Sequence, residues 1–71
     1  MQSVDFVLTG ETVALCDLLK LAGVADSGGQ GKVLVAAGEV QVDGQPESRK
    51  TAKIRAGQVV VCRGVTINVV G

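Results

Sequence analysis

The sequence predicts an α+β fold in which two short helices pack on a small, mainly antiparallel sheet of about four to five strands. Three features of the chain point to it. Apolar residues alternate near the start of the chain, as in a half-buried strand. Two segments with the apolar spacing of helices follow, and a glycine closes each of them. The second half then contains short valine-rich runs between turn residues, which is typical of strands.

The first strand is predicted at residues 3–8 from their alternation, and a helix from about Glu11 to Leu21 follows the break at Thr9–Gly10. Four apolar residues of this segment fall at the i, i+3, i+4 and i+7 positions of one helical face: Leu15, Leu18, Leu19 and Ala22. They predict a buried stripe, and Gly23 supplies the end of the helix.

A second helix is predicted at about residues 28–37, between two local signals. Asp26–Ser27 offer side-chain oxygens that can cap its first turn, and Gly38 ends it. The residues expected on its inward side are Gln30, Val33, Leu34 and Ala37.

Three glycines, Gly28, Gly29 and Gly31, stand at the start of this second helix. Because each interior glycine costs up to about 1 kcal/mol relative to alanine, they indicate that something approaches the backbone closely. The approaching body is either the first helix or a phosphate held by the free N–H groups of the helix N-terminus. Val33 stands after Lys32, where a Walker A motif needs Ser or Thr, so nucleotide hydrolysis is excluded.

The strongest turn signal is Asp43–Gly44, which suits the positive φ angles of a type I′ hairpin turn. It joins predicted strands at residues 40–42 and 45–47. Pro46 cannot donate to a ladder, so its strand is expected to be short or to lie at an edge. Two further strands are predicted at residues 59–62 and 65–70, joined by a turn at Arg63–Gly64.

Residues for catalysis or metal binding are scarce. The chain has no His, and Cys16 and Cys62 lie in no metal-ligand spacing, so both are interpreted as small buried apolar residues. No Ser or Cys stands in a recognisable nucleophile motif. We therefore expect no catalytic site, no metal site and no cofactor. No apolar run approaches the roughly 20 residues of a transmembrane helix, and a cytoplasmic protein is expected.

The charges are balanced overall but unevenly distributed. Residues 1–31 carry four acids and one base, whereas residues 32–71 carry six bases and three acids. Within residues 49–55 there are four bases and no acid. This run is interpreted either as a solvated loop or as a phosphate-binding segment. Phe6 is the only aromatic residue, so any contact with nucleic acid must use phosphate charge and backbone amides rather than stacked bases.

The order of these features resembles the S4-type RNA-binding domain. The residues that carry the resemblance are Leu15, Asp17 to Lys20, Ser27 to Gly29, Lys32, Gly38, Val40, Val42 to Gly44, Glu47, Arg49, Lys50, Lys53 and Gly57. The match covers about residues 15–61, and the chain looks similar over nearly its whole length to the short stand-alone S4-like bacterial proteins of the YbcJ type. The resemblance implies a single S4-like domain over residues 1–71 with the αL motif of that family.

The resemblance also implies a function, namely non-catalytic docking on folded RNA such as ribosomal or transfer RNA. The expected partners are structured RNA and, through it, a ribosome or another ribonucleoprotein, with the protein itself a monomer. The hypothetical RNA-binding residues are Lys20, Gly28, Gly29, Lys32, Arg49, Lys50, Lys53 and Arg55. Lys20 has a second interpretation as a favourable charge at the end of its helix.

Two other classes of function stay open from the sequence. One is a protein-interaction module whose exposed strand edge pairs with a partner chain. The other, more remote, is a β-grasp sulfur carrier, suggested by the small size and by Gly71. Such carriers end in Gly-Gly, whereas Val70 precedes Gly71 here.

Overall fold

The computed structural model describes residues 2–71. In chain order its elements are β1 (Gln2–Val7), β2 (Val13–Ala14), α1 (Leu15–Leu21), α2 (Gly28–Ala36), β3 (Val40–Val42), β4 (Gln45–Pro46), β5 (Lys53–Ile54), β6 (Val59–Cys62) and β7 (Val65–Val70). Five strands form one sheet in the order β1-β7-β6-β3-β4. Only β1 and β7 run parallel among these neighbours, so the predicted α+β fold with a mainly antiparallel sheet is confirmed.

The two remaining strands, β2 and β5, form a separate antiparallel pair, with Val13 opposite Ile54 and Ala14 opposite Lys53. This pairing corrects the predicted start of the first helix. The sequence placed that start near Glu11, but α1 begins at Leu15, because the two residues before it are extended and paired with β5. The first turn of α1 is thereby joined to the segment just before β5.

Both helices end as predicted, at Gly23 and Gly38, whose φ angles are +81° and +78°. The N–H of each glycine and of the residue after it returns to carbonyls of the last helical turn, as in a Schellman motif. The N-cap Ser27 also behaves as predicted, because its Oγ accepts a hydrogen bond of 3.1 Å from the N–H of Gln30.

The buried face of α2 differs from the prediction. Leu34 is buried as expected, but Val33 is 64% exposed and Ala37 is also exposed. The structure instead buries Gly31, Leu34 and Val35, because α2 approaches α1 through the backbone of Gly31. This close approach turns the face with Gly31, Leu34 and Val35 toward α1 and leaves Val33 on the outer side of α2.

The core lies between the helices and one face of the sheet. Its fully buried side chains include Leu15, Leu18, Leu19, Val35, Val40, Ile54, Val60, Ile67 and Val69. The α1 residues are the predicted stripe, and Ala22 packs partly buried against them. Both cysteines are buried free thiols, as interpreted from the sequence. Burial raises the pKa of the Cys62 thiol, with a further contribution from the charge of Glu39.

The hairpin turns also agree with the sequence. Asp43 and Gly44 have φ angles of +52° and +81°, as a type I′ turn requires, and Arg63 and Gly64 have φ angles of +52° and +78°. The short β4, with Pro46, lies at one edge of the sheet, as predicted, and β1 lies at the other edge. After β4 the chain leaves the sheet, and the segment between β4 and β5 crosses to the start of α1.

Candidate nucleic-acid interface

The segment from Ser48 to Lys53, which we call the basic segment, carries three of the chain's cations and runs from shortly after the end of β4 into the first residue of β5. The burial of its side chains follows their polarity. Ala52 is 7% exposed and joins the core, whereas Arg49, Lys50 and Lys53 are exposed. The small apolar residue thus attaches the segment to the core while the charged groups face solvent.

The backbone of this segment is fixed to the start of α1. The N–H of Leu15 donates to the carbonyl of Ala52 at 2.9 Å, and the N–H of Cys16 donates to the carbonyl of Lys50 at 3.1 Å. The N-cap residue, Ala14, has no side chain that could satisfy the free N–H groups of the first helical turn. Carbonyls of the basic segment take that role, so the segment is held by the helix.

Lys32 enters the same region from α2. It follows Gly31, and a Cβ built on Gly31 would lie 2.5 Å from the carbonyl oxygen of Cys16. The backbones of α1 and α2 are therefore in direct contact beside Cys16, the residue whose N–H also holds Lys50. One point of backbone packing thus sets the position of Lys32 relative to the basic segment.

Together these side chains line one open groove of about 860 Å³. We call it the basic groove, and its lining residues are Lys32, Ser48, Arg49, Lys50, Thr51, Ala52 and Lys53. Four of the eight residues expected to bind RNA are therefore brought together, although they come from two separated parts of the chain.

The other four lie outside the lining of the basic groove. Gly28 and Gly29 form the first turn of α2, where an added Cβ would have only ordinary contacts. Close helix packing thus explains Gly31 but neither of these two glycines. Lys20 lies in the last turn of α1, and Arg55 lines a smaller depression of about 440 Å³ with Glu11.

Glu47 is the residue beside the groove that the sequence-based site set omitted. Its Oε2 accepts hydrogen bonds from the backbone N–H and the Nε of Arg49, at 3.1 and 3.2 Å, and its Oε1 accepts from Nη2 at 3.1 Å. These bonds hold the pKa of Glu47 at about 2 and raise the pKa of Arg49. The signal available in the sequence was the Glu-x-Arg spacing immediately after the hairpin.

In residues 2–71, no group of three or more His, Cys, Asp or Glu side chains is arranged to hold a metal ion. Across that same range, neither helix is long and apolar enough to cross a membrane.

The chain is similar in sequence to known proteins. The sequence model of the S4 domain family matches residues 6–70. The Escherichia coli K12 protein named "Putative RNA-binding protein YbcJ" is 53% identical over 58 residues, covering 82% of this chain and 83% of YbcJ. The Bacillus subtilis protein named "Probable ribosome maturation protein RlbA" is 39% identical over 54 residues, or 76% of each chain.

Solved structures give the same assignment. The solution structure of E. coli YbcJ, described as revealing an αL motif involved in RNA binding, superposes with a TM-score of 0.74 at 48% identity. That match covers 94% of this chain and 86% of YbcJ. The 30S ribosomal protein S4e of Thermoplasma acidophilum, at 24% identity and a TM-score of 0.61, shares the fold over 82% of this chain and 31% of its own. The chain therefore belongs to the S4 domain family.

Proposed function

We propose that this protein is a small, non-catalytic RNA-binding protein whose basic groove contacts the phosphates of structured RNA. The observation that carries the proposal is the convergence of Lys32 with Arg49, Lys50 and Lys53 on one open groove. All four side chains are exposed, so phosphates can reach them without any rearrangement of the core. RNA binding is also the property named for YbcJ, with which the chain shares its fold and 53% of the aligned residues.

The composition of the groove favours folded RNA over single strands. Proteins that hold single-stranded bases use exposed aromatic side chains as stacking surfaces. The only aromatic residue, Phe6, packs partly buried against the core and does not line the groove. Lysine, arginine and hydroxyl groups recognise the spacing of phosphates, and that spacing is most regular on base-paired RNA.

Secondary contacts are proposed at the start of α2. Within residues 2–71, the N–H groups of Gly28 and Gly29 donate to no protein acceptor, so both can donate to a phosphate oxygen. The carboxylate of Asp17 lies near Gly28, with its Oδ1 3.7 Å from the position of an added Cβ. The negative charge of Asp17 disfavours an anion at this place, so we rank these amides below the basic groove as RNA contacts. Lys20 and Arg55 rank with them, as cations outside the groove.

The proposed setting is the cytoplasm, where the protein would act as a monomer on the RNA of a ribosome or another ribonucleoprotein. The name of the B. subtilis relative, "Probable ribosome maturation protein RlbA", supports the ribosomal part of this proposal. The proposed contribution of the groove is binding and positioning of RNA, because its lining offers phosphate-binding groups and no nucleophile paired with a base.

The proposal is tested by measuring the affinity for a fluorescein-labelled RNA stem-loop by fluorescence anisotropy at several salt concentrations. Four phosphate contacts predict about a hundredfold weaker binding at 200 mM than at 50 mM salt. Charge reversal of Lys50 and Lys53 to glutamate removes two of these contacts, so the remaining salt dependence should fall to about tenfold over the same interval.

The control is Arg63→Glu, compared with the single reversal Lys50→Glu, which changes the net charge by the same amount. Arg63 lies outside the groove and is not among the proposed RNA contacts. We expect this control to keep most of the affinity and nearly the full salt dependence. Equal losses of affinity in Lys50→Glu and Arg63→Glu would show that net charge, and not the groove, governs binding. Affinity that does not change with salt would contradict phosphate contact altogether.

A further inference from the structure

One carboxylate stands beside the basic groove in a position that charge alone does not explain. The side chain of Glu47 is only 17% exposed and contacts Arg49, whose side chain is 79% exposed. A surface that attracts phosphates is weakened by a nearby negative charge. A carboxylate at this place therefore requires another role, and its contacts indicate one.

Glu47 is itself attached to the sheet. Its backbone N–H donates to the carbonyl of Val40 at 3.1 Å, and Val40 is a fully buried residue of β3. From this fixed backbone the carboxylate reaches the N–H, Nε and Nη2 of Arg49. The orientation of an exposed, flexible side chain is thus determined by a residue that is bonded to the core.

The geometry of the pair leaves part of the guanidinium available. An arginine carries five N–H donors in one plane, and Glu47 uses the pair formed by Nε and one hydrogen of Nη2. Among residues 2–71, no protein acceptor bonds to Nη1, and the side chain lines the groove. A guanidinium held in this way can bond to a phosphate without losing further rotational freedom, which otherwise weakens binding by an exposed arginine.

We propose that Glu47 is a positioning residue that holds the Arg49 guanidinium in the orientation that contacts RNA phosphate. The inference rests on the proposed RNA-binding function and deepens it. The inference therefore predicts a change in RNA affinity opposite to the one expected from charge alone. If Glu47 acted only through its charge, removing that charge would strengthen RNA binding, whereas loss of positioning weakens it.

The test compares Glu47→Gln with wild type in binding to the fluorescein-labelled RNA stem-loop, and repeats the substitution in an Arg49→Ala background. Glu39→Gln is the matched control. Glu39 also accepts a hydrogen bond from an arginine, Arg63 at 3.3 Å, but neither residue lines the groove. Thermal unfolding of each variant checks that the fold is intact.

We expect Glu47→Gln to bind about three- to tenfold more weakly, the range set by ordering one arginine side chain. The control should stay within about twofold of wild type, because its charge lies outside the groove. In the Arg49→Ala background, Glu47→Gln should cause no further weakening. A structural role of Glu47 unrelated to Arg49 would weaken binding in both backgrounds.

Unchanged or tighter binding by Glu47→Gln in the wild-type background would overturn the inference. Arg49→Lys provides a second test, since it keeps the charge and the Glu47 backbone contact but loses the planar fork. Wild-type affinity in Arg49→Lys would overturn the inference as well. Failure of wild type itself to bind the stem-loop at low salt would instead overturn the proposed function and, with it, this inference.

Discussion

Replacing Gly31 with alanine tests the packing that positions the groove. A Cβ at this position would lie 2.5 Å from the carbonyl oxygen of Cys16 and 3.1 Å from its Cα, whereas ordinary contacts begin at 3.4 Å. Both atoms belong to the backbone of α1, so no side chain can rotate away. The two helices must therefore separate by roughly 1 Å to admit the methyl group.

The expected destabilisation follows from two opposing terms. Overpacking of this kind costs about 1–3 kcal/mol, while exchanging glycine for alanine in a helix gains up to about 1 kcal/mol. The net loss in the free energy of unfolding is therefore about 0–2 kcal/mol, and each kcal/mol lost lowers Tm by about 4–8 °C in a domain of this size. Lys32 moves with Gly31, so RNA affinity should also fall at temperatures where the variant is fully folded.

The assay is urea unfolding followed by circular dichroism, with Gly29→Ala as the matched control. Gly29 lies in the same helix, and an added Cβ there would have an ordinary contact with Ser27 Oγ, at 3.7 Å. Gly29→Ala should therefore be neutral or stabilising by about 0.5–1 kcal/mol. Equal stability of the two variants would refute the argument from backbone contact.

Three further predictions concern single groups. In carbon-detected NMR titrations, the Glu47 carboxyl should titrate near its pKa of about 2 in wild type and at a higher pH in Arg49→Ala, which loses the side-chain hydrogen bonds but keeps the backbone N–H donor; a wild-type midpoint near 4.5 would contradict the pairing. Because the folded pKa is the lower one, the stability gained from ionised Glu47 is fully present above about pH 4.5 and is lost as the pH falls toward 2. Cys16 and Cys62 are buried, so dithionitrobenzoate should react with neither thiol until denaturant is added, and rapid reaction of the native protein would show that one of them is accessible. Asp43 has a φ of +52° and accepts a 3.0 Å hydrogen bond from a backbone N–H, so Asp43→Ala should lose about 1–2 kcal/mol in urea unfolding while Asp43→Asn loses less; equal losses would contradict the turn argument.

The parts of the fold that the sequence predicted correctly are those with short-range physical causes. Helix ends at Gly23 and Gly38 and the turn at Asp43–Gly44 depend on positive φ angles that few residues adopt. The buried stripe of α1 depends on a period of 3.6 residues. Such signals lie within a few residues of one another, so the sequence displays them directly.

The parts it missed depend on contacts between distant segments. Pairing of Val13–Ala14 with β5 shortened α1, and the close approach at Gly31 turned Val33 outward. In the candidate site, the sequence pointed to the cations because their charges are clustered. It did not reveal the role of Glu47, because its contact with Arg49 matters only once the backbone anchor on β3 is known.

The central claim, that the groove binds structured RNA, is tested most directly by crosslinking the protein to RNA in living cells and sequencing the recovered RNA. Wild type would be compared with a variant carrying glutamate in place of all four groove cations, Lys32, Arg49, Lys50 and Lys53. The account predicts enrichment of a structured RNA with wild type and its loss with the variant. Equal enrichment with both proteins, or none with wild type, would contradict it.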